Sequence, residues 1–371
     1  MTGNRIAVLG ATGVVGRAAM RMLTRLGFGD LRAGARNLSR AELPDDVEPF
    51  RVDADDSDSL AAFCAGTRLV LNCAGPSYLL LDRVARAALA AGSDYVDVSG
   101  DGPTHRLLKG SPLLAGGQTA LLSAGMLPGL ANVVPRLLGG DLTGARLVVY
   151  AGGIEPFAAA SAGDLALSLD SSDDSAQWYG ETAAAWSGGA RRRNALPVSE
   201  DVEVAGFPGR VTTMPFLTAD AERLARSAGL AELHWYNVFV GSALRLTLTR
   251  LRGRVDGEPA ALAAIVEEIR AAADLDLAGL DPFYLMAFTV SRPDRTDTAV
   301  LRTPSSFELT AATAARAVAA VLAGDVPPGL HYADEALEPR ALLDGVRGLG
   351  ALPVWQIHRH AHDEPMEVGS L

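Results

Sequence analysis

The sequence is nearly devoid of lysine and poor in cysteine. Of its 33 lysines and arginines only Lys109 is a lysine, so any reaction that needs a lysine amine depends on that residue. The two cysteines, Cys64 and Cys73, are too few to frame a disulfide-rich secreted fold, and no CxxC or other metal-like cysteine spacing is present. The sequence therefore excludes a disulfide scaffold and a cysteine-based metal site.

Charged residues are also scarce, at 21% of the chain, and acidic residues outnumber basic ones by 44 to 33. The resulting formal net charge of −11 repels phosphate backbones and anionic lipid, so we expect neither nucleic acid nor a membrane as a partner. The hydrophobic share of 49% is enough for a sizeable core and excludes intrinsic disorder. A length of 371 residues favours two domains.

Long apolar runs are absent too. The longest uncharged stretch, residues 111–135, contains glycine and proline at several positions and cannot form one membrane helix. The opening MTGNRIAVLG has no apolar signal region before a cleavage site. We therefore expect a cytoplasmic protein.

The first 125 residues alternate short apolar runs with helical patterns. Buried strands are predicted at 5–9, 31–35, 50–52, 69–72, 95–98 and 119–123, and helices at 14–26 and 79–91. This alternation is typical of βαβ units. It predicts an α/β fold with a Rossmann doubly wound parallel sheet.

The middle of the chain has a different pattern. Alternating runs predict half-exposed antiparallel strands at 146–150, 211–214, 243–249 and 288–291. Further on, a helical pattern ends at Gly324 and another covers 336–348. We predict a Rossmann domain at 1–140, an inserted α+β substrate domain at 141–305, and C-terminal helices at 306–371 that return to the first domain and end in a tail.

The first strand runs directly into the motif GATGVVG, and a helix begins inside it. Glycines let the backbone turn tightly and approach a pyrophosphate, which the N–H groups of a helix N-terminus then bind. The position between an apolar strand and an amphipathic helix favours a dinucleotide over a ligand-free glycine turn. The predicted cofactor residues here are Gly10, Thr12, Gly13, Val14, Val15 and Gly16.

About 20 residues further on, where NAD enzymes carry an acid, this chain has Arg36. An arginine there suits a 2′-phosphate, so the predicted cofactor is NADPH. Asn37 and Arg40 are predicted to lie beside Arg36, with Arg40 as a second residue that holds the phosphate. Asp53 is predicted to lie at the adenine side of the pocket. The alternatives are a solvated surface arginine and a plain loop aspartate.

Two more strand ends are predicted to meet the cofactor. The fourth strand ends in the small turn Ala74-Gly75-Pro76, which leaves room for the nicotinamide ribose, and the fifth ends in Ser99-Gly100-Asp101. We predict cofactor contacts for Ala74, Gly75, Pro76 and Ser99. Asp101 either faces the crevice or caps the following helix.

The candidate proton donors are Tyr78, Asp101, His105 and His234. Packing, capping and surface roles are the alternatives for them. A protonated imine is already electrophilic and would need little acid catalysis. No metal is predicted, because the alternating His358, His360 and His362 lie in the predicted tail.

Several segments resemble the saccharopine dehydrogenase-like family. They are GATGVVGRAA, GARN, NCAGP, AALAAGSDYVDVSGD and SAGMLPGLAN, followed near the end by FELTAATAARAVAAVLAGDVPPGLHYADEAL. The resemblance covers about 1–140 and 305–350. It implies an NADP-binding Rossmann domain interrupted by a substrate domain, and oxidation or reduction at a carbon–nitrogen bond. Some members of this family are imine reductases of natural-product and siderophore pathways, and others are enoyl reductases acting on lipids.

Two enzyme classes that share the glycine loop fail on chemistry. Aspartate-semialdehyde dehydrogenases use a cysteine beyond the dinucleotide domain, and this chain has none after Cys73. Short-chain dehydrogenases need a tyrosine four residues before a lysine, and that position before Lys109 is His105.

The expected function is NADPH-dependent reduction of a C=N bond in an amino-acid-derived or carrier-tethered metabolite. Enoyl reduction and a non-catalytic NADP sensor remain as alternatives. A small-molecule or carrier-bound substrate is the expected partner, with a homodimer as the possible assembly.

Overall fold

The computed structural model describes residues 4–38, 43–44, 47–169, 180–251, 254 and 259–361. The predicted cofactor residue Arg40 and the histidine His362 lie outside the described residues. Everything said below about the structure refers to the described ranges.

The strands are, in chain order, β1 (Ile6–Leu9), β2 (Leu31–Ala35), β3 (Glu48–Arg51), β4 (Leu69–Asn72), β5 (Asp94–Asp97), β6 (Thr119–Leu122), β7 (Arg146–Ile154), β8 (Gly180–Thr182), β9 (Ala185–Ser187), β10 (Ala190–Arg192), β11 (Ser199–Glu203), β12 (Arg210–Thr218), β13 (Glu232–Phe239), β14 (Phe283–Ser291), β15 (Arg295–Thr303), β16 (Gly329–Tyr332) and β17 (Val354–Ala361).

The α-helices are, in the same order, α1 (Val14–Arg25), α2 (Ser57–Cys64), α3 (Ser77–Leu80), α4 (Arg83–Ala90), α5 (Gly102–Leu108), α6 (Leu130–Gly139), α7 (Ala159–Leu167), α8 (Ala219–Ser227), α9 (Ala243–Leu251), α10 (Pro259–Leu277), α11 (Ser306–Ala323), α12 (Ala333–Ala336) and α13 (Pro339–Gly348). A 3₁₀-helix covers Pro112–Gly116.

The first sheet is parallel, in the order β16-β6-β5-β4-β1-β2-β3. β1 is a fully buried apolar run, and β4 is buried along its whole length and apolar up to Asn72, because helices cover both faces of the sheet. This confirms the predicted α/β Rossmann fold. The single helix predicted at 79–91 is instead split into α3 and α4, because Leu81 between them has a φ of 50°.

The second sheet is mixed, with the main order β10-β9-β13-β7-β14-β15-β17. Most of its pairs are antiparallel, as predicted, but β13 and β7 run parallel. The strand predicted at 243–249 is wrong, since these residues form α9. Thr247, Leu248 and Leu251 share its buried face, and the Asp276 carboxylate accepts the N–H groups that begin the helix.

The C-terminal segment returns to the parallel sheet in part. α11 packs against α1, and β16 pairs with β6 in parallel. The prediction of helices alone from 306 onward is wrong at two places: β16 adds a strand to the parallel sheet, and β17 pairs with β15 of the second sheet along its whole length. β17 is the last strand of this sheet beside β15, and His358 and His360 belong to it rather than to a tail.

Among the described helices, α11 is long and apolar enough to cross a membrane by length and composition. Half of that segment is buried inside the structure. Its alanine-rich face packs on α1 and β5, as a core helix does.

Candidate active site

The phosphate loop joins β1 to α1 through very close backbone contacts. Gly10 has a φ of +79°, and a Cβ there would lie 2.7 Å from the backbone nitrogen of Ala74. A Cβ on Gly16 would lie 2.2 Å from the Gly10 carbonyl oxygen. Gly13 caps α1 without a side-chain hydrogen bond, so the first N–H groups of the helix are left to bind an anion.

Two cavities meet at this loop. One of about 650 Å³ lies on the β1–β3 side, and one of about 730 Å³ lies toward β5 and the second sheet. We term them the adenosine cavity and the nicotinamide cavity. Their shared lining includes Thr12, Gly13, Ala74 and Gly75, so together they form one cleft across the carboxyl edge of the sheet.

The predicted cofactor residues in the described chain line this cleft, with one exception. The adenosine cavity is lined by Gly10, Arg36, Asn37, Asp53 and Pro76, and the nicotinamide cavity is lined by Val14, Val15 and Ser99. Gly16 lines neither cavity, because it packs beneath the loop against Gly10. These residues lie where a dinucleotide binds across the carboxyl edge of a Rossmann sheet.

A buried network holds the two strand ends at the cleft in place. Asn72 accepts a hydrogen bond from the Ala74 N–H at 3.1 Å and donates one to Asp97 at 3.0 Å. Asp97 accepts the Ser99 N–H at 2.9 Å, and Tyr95 donates its hydroxyl to the same carboxyl group. Burial raises the pKa of Asp97, and these hydrogen bonds oppose the rise because they favour the charged carboxylate. The turns after β4 and β5 are thus tied to one another.

None of the four predicted proton donors lines either cavity. Tyr78 donates its hydroxyl to Asp101 at 3.5 Å, while the His105 ring stacks on Tyr332 with 4.7 Å between the ring centroids. His234 lies on β13 beside Arg146, and no residue of β13 lines either cavity. Asp101 occupies the N-cap position of α5, as the capping alternative predicted, but its side chain makes no capping hydrogen bond.

Tyr78 and Asp101 belong to an acidic cluster behind the Gly75-Pro76 turn. Burial, together with the carboxylates of Asp220 and Asp164, raises the pKa of Asp101 to about 8. Asp164 accepts the Ser77 hydroxyl at 3.1 Å and the Tyr78 N–H at 3.3 Å, and burial raises its pKa to about 6. Of these carboxyls, Asp164 lines the nicotinamide cavity.

Sequence reasoning missed Glu155, which directly follows β7 and lines the nicotinamide cavity. Its carboxylate accepts the Ser306 N–H at 2.9 Å and also the Ser306 hydroxyl. Burial raises the pKa of Glu155, and the two hydrogen bonds oppose that rise. The sequence does contain a signal, since Glu155-Pro156 marks the end of β7, but the predicted strand stops at Tyr150.

A third cavity of about 360 Å³ opens beside Glu155 into the second domain. We term it the side cavity. It shares Leu127, Glu155, Phe157 and Ser306 with the nicotinamide cavity, so the two are continuous. The site therefore consists of a dinucleotide cleft, a buried carboxyl at its end and a pocket beyond that carboxyl.

The site offers no activated thiol. Cys73 lines the cleft, but burial raises its thiol pKa far above neutrality, and burial raises the pKa of Cys64 to about 12. No group of three or more metal-binding side chains occurs among the described residues. The site thus favours direct hydride transfer over covalent catalysis.

Comparison with known proteins agrees with this geometry. The sequence profile of the saccharopine dehydrogenase NADP-binding domain matches residues 6–112, which run from β1 to the start of the 3₁₀-helix. Residues 6–112 are thus similar to the NADP-binding domain of saccharopine dehydrogenases. The NADP-binding domain contains the glycine loop, Arg36 and both strand-end turns, so the predicted cofactor, NADP(H), is confirmed.

Two individual proteins extend the comparison. An Arabidopsis thaliana protein described as a mitochondrial saccharopine dehydrogenase-like oxidoreductase is 41% identical over 58 residues, a match that spans 16% of this chain and only 13% of that protein. The apo saccharopine dehydrogenase (L-Glu forming) of Saccharomyces cerevisiae superposes with a TM-score of 0.66 over 97% of this chain and 100% of the yeast chain. At 16% identity this second match shows a common fold.

Proposed function

We propose that the protein is an NADPH-dependent oxidoreductase that transfers hydride to a C=N bond of an amino-acid-derived or carrier-tethered metabolite. One observation carries the proposal: residues of the phosphate loop and buried carboxyls of the second domain line the same nicotinamide cavity. Bound NADPH supplies the hydride. The protein's own residues would bind the substrate, exclude water and hold the proton that the nitrogen takes.

The carboxyls favour nitrogen as the acceptor of that proton. Glu155 and Asp164 both line the nicotinamide cavity, and burial raises the pKa of each. A protonated imine is a cation, so a nearby carboxylate stabilises it, and a carboxyl with a raised pKa can donate the proton near neutral pH. The family resemblance supports a C–N bond by analogy.

Enoyl reduction is the second candidate, and the apolar side cavity next to the nicotinamide cavity favours it. An enoyl thioester would place its acyl chain in this cavity and its β-carbon toward the cofactor.

Siderophore or other natural-product biosynthesis is the context that we propose for the imine reaction.

The test is to incubate the protein with 4-deuterated NADPH and a panel of substrates that includes cyclic imines, thiazolines, 2-oxo acids paired with amines, and enoyl thioesters. Deuterium on the carbon of a former C=N bond supports the proposal. Deuterium only at an enoyl β-carbon supports the second candidate function, enoyl reduction. Tight NADPH binding without consumption in any class favours a cofactor sensor and rejects both enzymes.

A further inference from the structure

We propose that the substrate carries an apolar substituent that fills the side cavity while its reacting nitrogen lies beside Glu155. The nitrogen in this statement rests on the proposed function, whereas the apolar substituent rests on the cavity alone. The substrate class is therefore an alkyl- or aryl-substituted imine, neutral or cationic, rather than an imine that carries several carboxylates.

The side cavity is apolar because it lies between one face of the second sheet and three helices, α7, α9 and α10. Residues Phe157, Leu165, Phe239, Leu244 and Leu248 line it. The Asp276 carboxylate also lines it but accepts the N–H groups of Ala243 and Leu244, both at 2.9 Å. The wall thus presents hydrocarbon over most of its area and binds best to hydrocarbon.

The charges of the site disfavour an anionic substituent. Neither lysine nor arginine lines the side cavity in the described chain, and two carboxyls, Glu155 and Asp276, do. Arg270 in the adjoining nicotinamide cavity already donates a hydrogen bond to the Phe157 carbonyl at 3.2 Å. A carboxylate in the side cavity would lose its hydration and gain no cation in return.

The position of Glu155 orients the substrate. Ser306 holds the carboxyl at the junction of the two cavities, so a nitrogen bound there has the cofactor cleft on one side and the side cavity on the other. The reacting carbon then faces the cleft, and a substituent on that carbon extends into the apolar pocket. Glu155 is a candidate catalytic residue in this arrangement, and Ser306 is a positioning residue.

The experiment compares three cyclic imines that differ in one substituent: 2-methyl-1-pyrroline, 2-hexyl-1-pyrroline and 1-pyrroline-2-carboxylate. Because each buried methylene adds several-fold in affinity, we expect kcat/KM with NADPH to be at least about tenfold higher for the hexyl than for the methyl compound, and lowest for the carboxylate. A carboxylate that is reduced as well as the hexyl compound overturns the inference.

Two variants on one helix locate the effect. Leu244→Trp fills the side cavity, whereas Leu246→Trp places the same side chain on the exposed face of α9, where Leu246 is 49% exposed. The first should abolish the preference for hexyl over methyl, and the second should leave it unchanged. Equal loss in both variants contradicts the proposed cavity.

Binding separates this inference from the proposed function. The saturated amines 2-hexylpyrrolidine and 2-methylpyrrolidine are titrated calorimetrically into the NADP⁺-loaded protein and into its Leu244→Trp variant. Tighter binding of the hexyl amine that the substitution removes supports the inference even if no imine is reduced. Equal affinity for the two amines overturns it, whatever the outcome of the turnover assays.

Discussion

Ser306 donates both its backbone N–H and its hydroxyl to the carboxylate of Glu155, with the N–H at 2.9 Å from Oε2. The pair joins the end of β7 to the first turn of α11, and so links the second sheet to a helix that packs on the Rossmann domain. Since both hydrogen bonds favour the charged carboxylate, they hold the pKa of Glu155 below the value that burial alone would produce.

Ser306→Ala removes one of these bonds and keeps the backbone N–H. The pKa of Glu155 should rise, and the limb of the pH–rate profile that reports Glu155 should move to higher pH by about one unit, as expected for one hydrogen bond to a charged group. The direction is the same whether the active form is the acid or the carboxylate. Glu155→Gln should remove the limb, and a limb that persists in this variant contradicts the assignment.

Arg36→Asp should reverse the cofactor preference. Arg36 is exposed and lines the adenosine cavity, where it can meet a 2′-phosphate. Loss of charge-assisted hydrogen bonds should weaken NADPH binding by about 1.5–3 kcal/mol and leave NADH binding little changed. Fluorescence titration of both cofactors measures this. Arg51→Asp, an equal charge change on β3 outside the cavity, is the control, and equal weakening in both variants speaks against a specific contact.

Arg223→Ala should destabilise the protein much more than Arg226→Ala on the same helix. Arg223 pairs at 2.6 Å with Asp334, whose side chain is completely buried, whereas Arg226 is 68% exposed and pairs with Glu222. Removing Arg223 leaves a buried carboxylate with only Arg136 at 3.7 Å, at a cost of about 2–4 kcal/mol. The exposed pair should contribute about 1 kcal/mol or less. Urea unfolding measures both, and similar losses would contradict the prediction.

Asp101→Asn should raise the free energy of unfolding at alkaline pH. The pKa of Asp101 is raised to about 8, so between roughly pH 4 and 8 the native state keeps a proton that the unfolded state releases. Stability therefore falls as pH rises through this window, and the asparagine variant lacks that fall, gaining about 1–3 kcal/mol at pH 9. Urea unfolding at pH 5 and pH 9 measures the difference.

Asp141→Asn is the control of opposite sign for Asp101. Asp141 accepts the Thr143 N–H at 2.9 Å, and this hydrogen bond lowers its pKa. Its contribution to stability is present above the unfolded pKa and is lost as pH falls, so this substitution should lower stability at neutral and alkaline pH. If the free energy of unfolding of the two variants depends on pH in the same way, burial does not set the pKa of Asp101.

The amino-acid sequence by itself determined the dinucleotide half of the site. The strand, the glycine loop and the start of α1 occupy contiguous residues. Gly16 is required by its contact with Gly10 in the same segment, and Gly10 by its contact with the turn after β4. Arg36 could be placed because it directly follows β2, the strand beside β1. Local periodicity and turn chemistry therefore sufficed for six of the seven strands of the parallel sheet and for most of the residues predicted along its carboxyl edge, but not for β16.

Only the tertiary structure decided the substrate half. Glu155 and Ser306 are 151 residues apart in sequence and meet because β7 leaves the first domain where α11 returns to it. The alternating pattern of residues 243–249 resembles that of a strand. These residues form α9 instead, and the Asp276 carboxylate at the end of α10 accepts the first N–H groups of the helix. Tyr78, Asp101 and His105 follow the expected strand ends, yet Tyr78 and Asp101 belong to an acidic cluster behind the Gly75-Pro76 turn and His105 stacks on Tyr332. Side-chain direction and long-range contact depend on packing, which no local pattern encodes.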